Sequence, residues 1–403
     1  MKCIGIVAEY NPFHIGHAHQ LQQLRKDHPD ALIVVAMSGS FVQRGEPAIF
    51  NKFIRARWAL LNGAHAVIEL PTIYATANAE RFAAGAIRLL AAMGATAISF
   101  GSETTDLPTL TRMAQLSTSP SVQSHCQALL KEGLFYGAAL RQAMAIQAPE
   151  IEPLLQQPNA LLGVEYIRAI QKYHLNIDVY PLQRDGEHHS EILTNTWPSG
   201  SALRHYLYAN TPQGIIHDIA SYIPSSIHTD YATLIKEGDL LDPKRYEDFI
   251  LYESRCRTQS ELQRLCDFNE GLENRWLQAS QAATWADARE LLKTKRYSYA
   301  RLNRMASYTL LNITQELQTN AHHQGPTYAR LLGFTHEARP WLQAKNFTIP
   351  LIQKWAPFVK QAQGLTAQLA RLDQKATDIQ QLCLFAPQKR RGRTDYTFTP
   401  WYI

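Results

Sequence analysis

The sequence predicts an α/β protein: a Rossmann-like parallel sheet with a helical insertion, followed by a mainly helical C-terminal domain. Three observations carry this prediction. In the first hundred residues, short β-branched apolar runs alternate with stretches of helical periodicity. A fifth strand-like run follows only after a long helical stretch, and from about Asp218 onward the strand signals disappear.

Residues 3–8 (CIGIVA) and 31–37 (ALIVVAM) have the composition of strands buried on both faces, and residues 66–70 (AVIEL) and 96–100 (TAISF) repeat it. Helical stretches at 17–26, 51–62 and 78–93 lie between them, each ending near Gly, Pro or Asn. Strand–helix–strand repetition at this spacing means a parallel sheet wrapped by helices. From about residue 104 to 175 the pattern is helical alone, an insertion ahead of the fifth strand at 177–182 (IDVYPL), after which a helix starts from Ser201. Asn210, Pro212, Gly214 and Pro224 are breakers that divide the chain into residues 1–215 and 216–403. In the second part, residues 246–265 and 276–293 carry helical apolar periodicity.

Composition excludes several classes. At 403 residues the chain is long for one core, and two or three domains are expected. Ordinary Gly and Pro content excludes collagenous or low-complexity character. No apolar run approaches the roughly 18 residues of a membrane span, and the N-terminal segment turns polar too soon for a secretory signal. Five scattered cysteines without C-x-x-C spacing fit reduced thiols and a cytoplasmic location, with no zinc site. No protein partner is indicated. The net charge of +5 neither demands nor excludes a polyanion, so its distribution must decide.

The most informative run is residues 9–17, EYNPFHIGH, which follows the first strand and opens the first helix. In a parallel sheet, ligands bind at the carboxyl ends of the strands, often against a helix N-terminus. His14 and His17 lie one helical turn apart around Gly16, so two imidazole N–H groups and the helix dipole form a cradle for phosphate oxygens. A metal is the weaker reading, because no third ligand of the usual kind lies nearby.

The run resembles the H-x-G-H signature of the nucleotidyltransferase α/β-phosphodiesterase superfamily, whose members attack the α-phosphorus of a nucleoside triphosphate and release pyrophosphate. Residues 199–204 (SGSALR) resemble the second signature of that superfamily, in which hydroxyls, helix-start N–H groups and an Arg hold the β- and γ-phosphates. Residues 37–48 (MSGSFVQRGEPA), 63–71 (GAHAVIELP), 100–103 (FGSE), 158–166 (PNALLGVEY) and 301–304 (RLNR) narrow the resemblance to the tRNA(Met) cytidine acetate ligase family over most of the chain. His65 departs from it, standing where that family usually carries an acidic residue. Residues 184–190 (RDGEHHS) match only loosely beyond Arg184.

The resemblance implies an ATP-dependent ligase that activates acetate as acetyl-adenylate. It then acetylates N4 of the wobble cytidine of elongator tRNA(Met), forming N4-acetylcytidine. Mg²⁺ is expected with ATP. His14 and His17 are then catalytic. ATP-binding positions map onto Val7, Ala8, Glu9, Tyr10, Asn11, Pro12, Phe13, His14, Ile15, Gly16, His17, Ala18, His19 and Gln20, and onto Gly101, Asn159 and Arg184, with Ser199, Ser201 and Arg204 from the second signature. By itself Asn159 reads equally as a helix N-cap, and Arg44 reads equally as a phosphate ligand or a solvated loop residue.

Basic residues cluster twice. Arg289, Lys293, Lys295, Arg296, Arg301 and Arg304 stand against the single acid Glu290, with Tyr297 and Tyr299 interleaved. Lys389, Arg390, Arg391 and Arg393 stand next to Tyr396, Phe398, Trp401 and Tyr402, and a solvated helix face or a frayed tail is the default explanation of such charge runs. Such clusters suit phosphate contact and base stacking. With the resemblance, Lys293, Lys295, Arg296, Arg301, Arg304, Lys389, Arg390 and Arg391 are candidate tRNA-binding residues. Two alternatives stay open: a small-molecule adenylyltransferase of the same superfamily, for which the basic helical part has no use, and a non-catalytic nucleotide-binding RNA regulator, which has no use for His14 and His17.

Overall fold

The computed structural model describes residues 2–184, 199–210, 215–344 and 347–403. The tract at 185–190 and the breakers Pro212 and Gly214 lie outside the described residues. Five parallel strands form as the apolar runs predict: β1 (Cys3–Ala8), β2 (Leu32–Ser38), β3 (Ala66–Leu70), β4 (Ala97–Ser102) and β5 (Asp178–Gln183). Their order is β3-β2-β1-β4-β5. The chain builds outward from β1 in one direction, then returns to its other side, so the crossovers diverge above the carboxyl ends of β1 and β4. That is the switch point where open α/β sheets hold ligands.

The helices between the strands are α1 (Ile15–Asp27), α2 (Lys52–Leu61), the short α3 (Thr72–Ala75) and α4 (Ala79–Ala92). The Asn51 and Asn78 side chains accept from the Ile54 and Arg81 N–H groups at 2.9 and 3.0 Å, capping α2 and α4 where the sequence places their starts. The insertion is helical throughout: α5 (Leu107–Ser117), α6 (Pro120–Lys131), α7 (Tyr136–Gln147), a 3-10 segment Pro149–Gln156 and α8 (Pro158–Lys172). Helix α9 (Gly200–Ala209) follows β5.

One expectation is corrected. Strands do not cease after Asp218: β6 (Ala329–Phe334) pairs antiparallel with β3, and β7 (Leu351–Ile352) and β8 (Trp401–Tyr402) pair parallel with β6. The sequence signal is weak for a physical reason. β6 is ARLLGF, with no β-branched residue and a buried arginine, while β7 and β8 are too short for any period to show. The rest of the C-terminal part is helical, and the buried apolar cluster runs from Cys3 to Cys383.

The C-terminal segment is likewise not a frayed tail. Asp395 is fully buried and meets Lys52 Nζ at 2.9 Å and Arg330 Nη1 at 2.6 Å, while Lys52 also meets Glu69 at 2.7 Å. His65, the departure from the family pattern, accepts the Ile33 N–H at Nδ1 over 2.9 Å, so it closes an otherwise open donor at the start of β2.

Candidate active site

Residues 9–17 form the β1–α1 connection at the switch point. The His14 Nδ1 accepts the Gly16 N–H at 3.1 Å, and the His17 Nδ1 accepts the His14 N–H at 3.3 Å. Two backbone donors thereby fix both tautomers, so the proton of each neutral ring sits on Nε2. The rings stack with centroids 3.8 Å apart and planes 28° from parallel. Burial, with the His14 ring and the Arg184 charge added to it, holds His17 well below the ordinary imidazole value. At neutral pH His17 is an N–H donor at a helix N-terminus, suited to phosphate oxygens.

Buried Arg55 on α2 holds this edge of the sheet together. Its guanidinium donates to the carbonyls of Phe50, Ser38, Gly39 and Glu9, thereby joining the carboxyl ends of β1 and β2. Opposite, Ser199 caps α9 by accepting the Ala202 N–H at 3.0 Å. A Cβ on Gly200 would lie 3.1 Å from the Asn11 carbonyl, so the two signature loops approach backbone to backbone. Arg204 donates to that Asn11 carbonyl and to Ser201 Oγ at 3.2 Å, and Arg44 reaches the same hydroxyl at 3.3 Å. Arg44, undecided between two roles in the sequence, thus stands beside the second signature.

On the β4 side, Asn159 is not the cap of α8. Glu103 takes that role, its carboxylate accepting the Asn159 and Ala160 N–H groups at 3.3 and 2.8 Å and the Asn159 amide at 2.7 Å. The Asn159 Oδ1 is then left to meet Arg184 Nη1 at 3.5 Å. Burial lowers Arg184 from the ordinary guanidinium value, against the pull of Glu103. A Cβ on Gly101 would touch only Arg184, at ordinary contact distance, so the missing side chain widens the cavity rather than relieving a clash. Sequence reasoning assigned no role to Glu103; its place in the FGSE motif was the available signal.

These groups open on one cavity of about 1140 Å³. Of the first stretch, Val7, Ala8, Glu9, Tyr10, Asn11, His14, His17 and Gln20 line it, whereas Pro12, Phe13, Ile15, Gly16, Ala18 and His19 do not. Gly101, Asn159, Arg184, Ser199, Ser201 and Arg204 also line it. The insertion contributes Phe135, Tyr136 and Arg141. The C-terminal part contributes Arg296, Tyr299, Arg301, Asn303 and Arg304. Close packing explains how the latter arrive: Gly45 has φ +77°, and a Cβ there would lie 2.5 Å from Arg304 backbone atoms. Asn303 donates to Glu46 at 2.9 Å across the same contact.

The other basic candidates lie elsewhere. Lys293 and Lys295 are not in the lining, although Lys293 sits 5.0 Å from the Tyr299 ring centre. Lys389 pairs with Glu237 at 2.5 Å, and Arg390 donates to the Leu384 and Phe385 carbonyls at 2.7 Å. Arg391 is exposed. Tyr297 is buried, so of the two interleaved tyrosines only Tyr299 is exposed.

Residues 1–395 match the HIGH Nucleotidyl Transferase family. The tRNA(Met) cytidine acetate ligase of Acetivibrio thermocellus is 32% identical over 98% of this chain and 99% of its own. That of Thermosipho africanus is 34% identical over 87% of this chain and 84% of its own. Among solved structures, apo Thermotoga maritima TmcAL superposes with a TM-score of 0.93 at 29% identity, covering 100% of both chains. The same protein bound with alpha-thio ATP gives 0.91 at 29% identity, covering 100% of this chain and 99% of its own.

Proposed function

The chain belongs to the HIGH nucleotidyl transferase family and, within it, to the tRNA(Met) cytidine acetate ligases, and from that footing we propose that it acetylates the wobble cytidine of elongator tRNA(Met) at the expense of ATP. In the first half-reaction an acetate oxygen attacks the α-phosphorus, the bond to pyrophosphate breaks, and acetyl-adenylate forms. In the second the cytidine N4 amine takes the acetyl group and AMP leaves.

The observation that carries this proposal is the large cavity at the carboxyl ends of the strands. It joins the H-x-G-H donors, the α9 signature and a basic wall, and at about 1140 Å³ it exceeds the usual 300–1,000 Å³ of a small-ligand site. His14 and His17 donate Nε2–H to α-phosphate oxygens. Ser199, Ser201, Arg204 and Arg44 take the β- and γ-phosphates. Gly101, Asn159 and Arg184 take the nucleoside side. Adenylation needs such fixed donors more than it needs a general base. Mg²⁺ would enter with ATP and supply positive charge against the triphosphate; among the described residues no group of three or more His, Cys, Asp or Glu is arranged to hold a metal of its own.

Arg296, Arg301 and Arg304, with Tyr299, form the wall against which the RNA strand lies, and Lys293 and Lys295 extend it outward. At the second cluster, Lys389 and Arg390 are committed to the fold, so contact with RNA there falls to Arg391. This assigns tRNA binding mainly to residues 216–403. Incubation with ATP, labelled acetate and bulk tRNA tests the proposal. Label in tRNA hydrolysing to N4-acetylcytidine is expected. Pyrophosphate release that does not depend on acetate, with no label in tRNA, would instead favour an adenylyltransferase.

A further inference from the structure

We infer that the helical insertion carries the pocket of the wobble base, in which the Arg141 guanidinium reads cytosine at its O2 and N3 acceptors, an inference that rests on the function proposed above. Gly137, Leu140, Arg141 and Met144 all line the cavity. Their i, i+3, i+4, i+7 spacing puts them on one face of α7. Tyr136, the first residue of that helix, lines the cavity as well and is 46% exposed. The centre of the Phe135 ring lies 5.9 Å from the Arg141 guanidinium, within cation–π reach. A Cβ on Gly137 would lie 3.4 Å from that ring and 3.6 Å from Arg141 Nη1, so the glycine leaves a notch between them. Helix α8 ties this lobe to the nucleotide: Asn159 stands in its first turn, and Leu161 and Leu162 line the cavity next along it.

Among the described residues the Arg141 guanidinium has neither a hydrogen bond nor a salt bridge. Burial lowers it from the ordinary guanidinium value, and no carboxylate among those residues is near enough to oppose that. The carboxylates that line the lobe are taken: Glu165 meets Arg168 at 2.7 and 2.8 Å through its two oxygens, and Glu80 meets Lys172 at 3.5 Å. The lobe therefore offers a forked donor and ring faces. That suits cytosine as a nucleophile. Its N4 amine must stay unpaired to attack the acyl carbon, so the base has to be held by its other groups. O2 and N3 are adjacent acceptors, which two parallel N–H groups of one guanidinium match. Uracil turns an N3–H toward the same donors and is refused. The ring faces supply stacking, which unpaired RNA bases use and a backbone phosphate does not. Acetate, with only a methyl group to bury, is too small for a lobe built around two aromatic rings.

Arg141→Lys keeps the charge and removes the fork, while Arg141→Ala removes both. Two tRNA(Met) transcripts that differ only at the wobble position, cytidine or uridine, are bound to wild type and both variants across a salt series. Acetate-dependent exchange between ATP and pyrophosphate is measured beside them. Wild type should prefer the cytidine transcript by on the order of tenfold, the worth of one bidentate base contact. Both variants should bind the two transcripts within about twofold of each other, with the salt slope and the KM for acetate in the exchange unchanged. A cytidine preference kept by both variants, or absent from wild type, would overturn the inference. A slope flattened by about 0.7 in Arg141→Ala with the preference kept would assign the guanidinium to a phosphate. A raised KM for acetate would assign it to the acetate carboxylate. Wild type that makes N4-acetylcytidine while the variants keep its preference refutes this inference alone, whereas wild type that acetylates no tRNA refutes the proposed function and this inference with it.

Discussion

The Lys52 ammonium and the Asp395 carboxylate lie 2.9 Å apart with both side chains fully buried, so the first residue of α2 is bound to the last turn of the chain. Arg330 and Glu69 complete the cluster, at 2.6 Å from Asp395 and 2.7 Å from Lys52 respectively. Two cations and two anions share one dry site. Removing one partner leaves a charge that water cannot reach, and this commonly costs about 3–5 kcal/mol. Asp395→Ala should therefore lower the free energy of unfolding by about that amount in a denaturant titration, while exposed Arg391→Ala should stay within about 0.5 kcal/mol. Ending the chain after Pro387 removes Asp395 and β8 together and should prevent folding. Wild-type stability of Asp395→Ala would show that the cluster does not hold this segment.

That cluster also marks the limit of what local pattern could reveal. β1 to β5 and the insertion were legible because buried parallel strands and amphipathic helices each impose a period on their own residues. His14, His17 and the α9 cap were legible because cap and strand-end chemistry is local. β6 and β8 were not, since their stability comes from partners far away in sequence: Arg330 is buried only because Asp395 and Glu69 neutralise it. For the same reason the basic, aromatic C-terminal run read as a solvated tail. Glu103 was missed because capping α8 from another element leaves no trace in the residues around Asn159.

His17→Asn separates the donor from the fold. An asparagine oxygen can accept the His14 N–H as the imidazole Nδ1 does, but it carries no N–H at the Nε2 position. Acetate-dependent pyrophosphate release should fall by on the order of 10²–10³, with far-UV circular dichroism unchanged. Near wild-type release from a folded variant would remove His17 from the chemistry.

His65 gives stability a pH dependence. Burial and the Arg25 charge hold its imidazole down at about 4, against the opposing pull of Glu337. The unfolded chain, with an ordinary value near 6.5, therefore binds a proton that the folded chain refuses, so stability falls as pH drops from about 6.5 toward 4. The loss is on the order of 3 kcal/mol from this group, and buried His17 adds to it in the same direction. His65→Asn keeps an acceptor for the Ile33 N–H and removes the titration. Its unfolding free energy should fall less between pH 6.5 and 4 than that of wild type. Parallel curves would mean the imidazole does not carry the acid sensitivity.

The two basic clusters predict opposite salt behaviour. Arg296 is exposed at the cavity wall, and its ion pair with Glu270 is itself exposed, so screening leaves the charge available to a phosphate. Lys389 instead sits between Glu237 and Asp239, which already neutralise it. Each phosphate contact to a single strand contributes roughly 0.7 to the slope of log affinity against log salt, because it releases condensed counterions. Arg296→Ala should therefore weaken tRNA(Met) binding at low salt and flatten the slope by about 0.7. Lys389→Ala should alter neither. The measurement is tRNA binding across a salt series for both variants and wild type. An unchanged slope in Arg296→Ala would move the RNA off the C-terminal wall and onto the insertion, where Arg141 and the exposed ring of Tyr136 line the opposite side of the cavity.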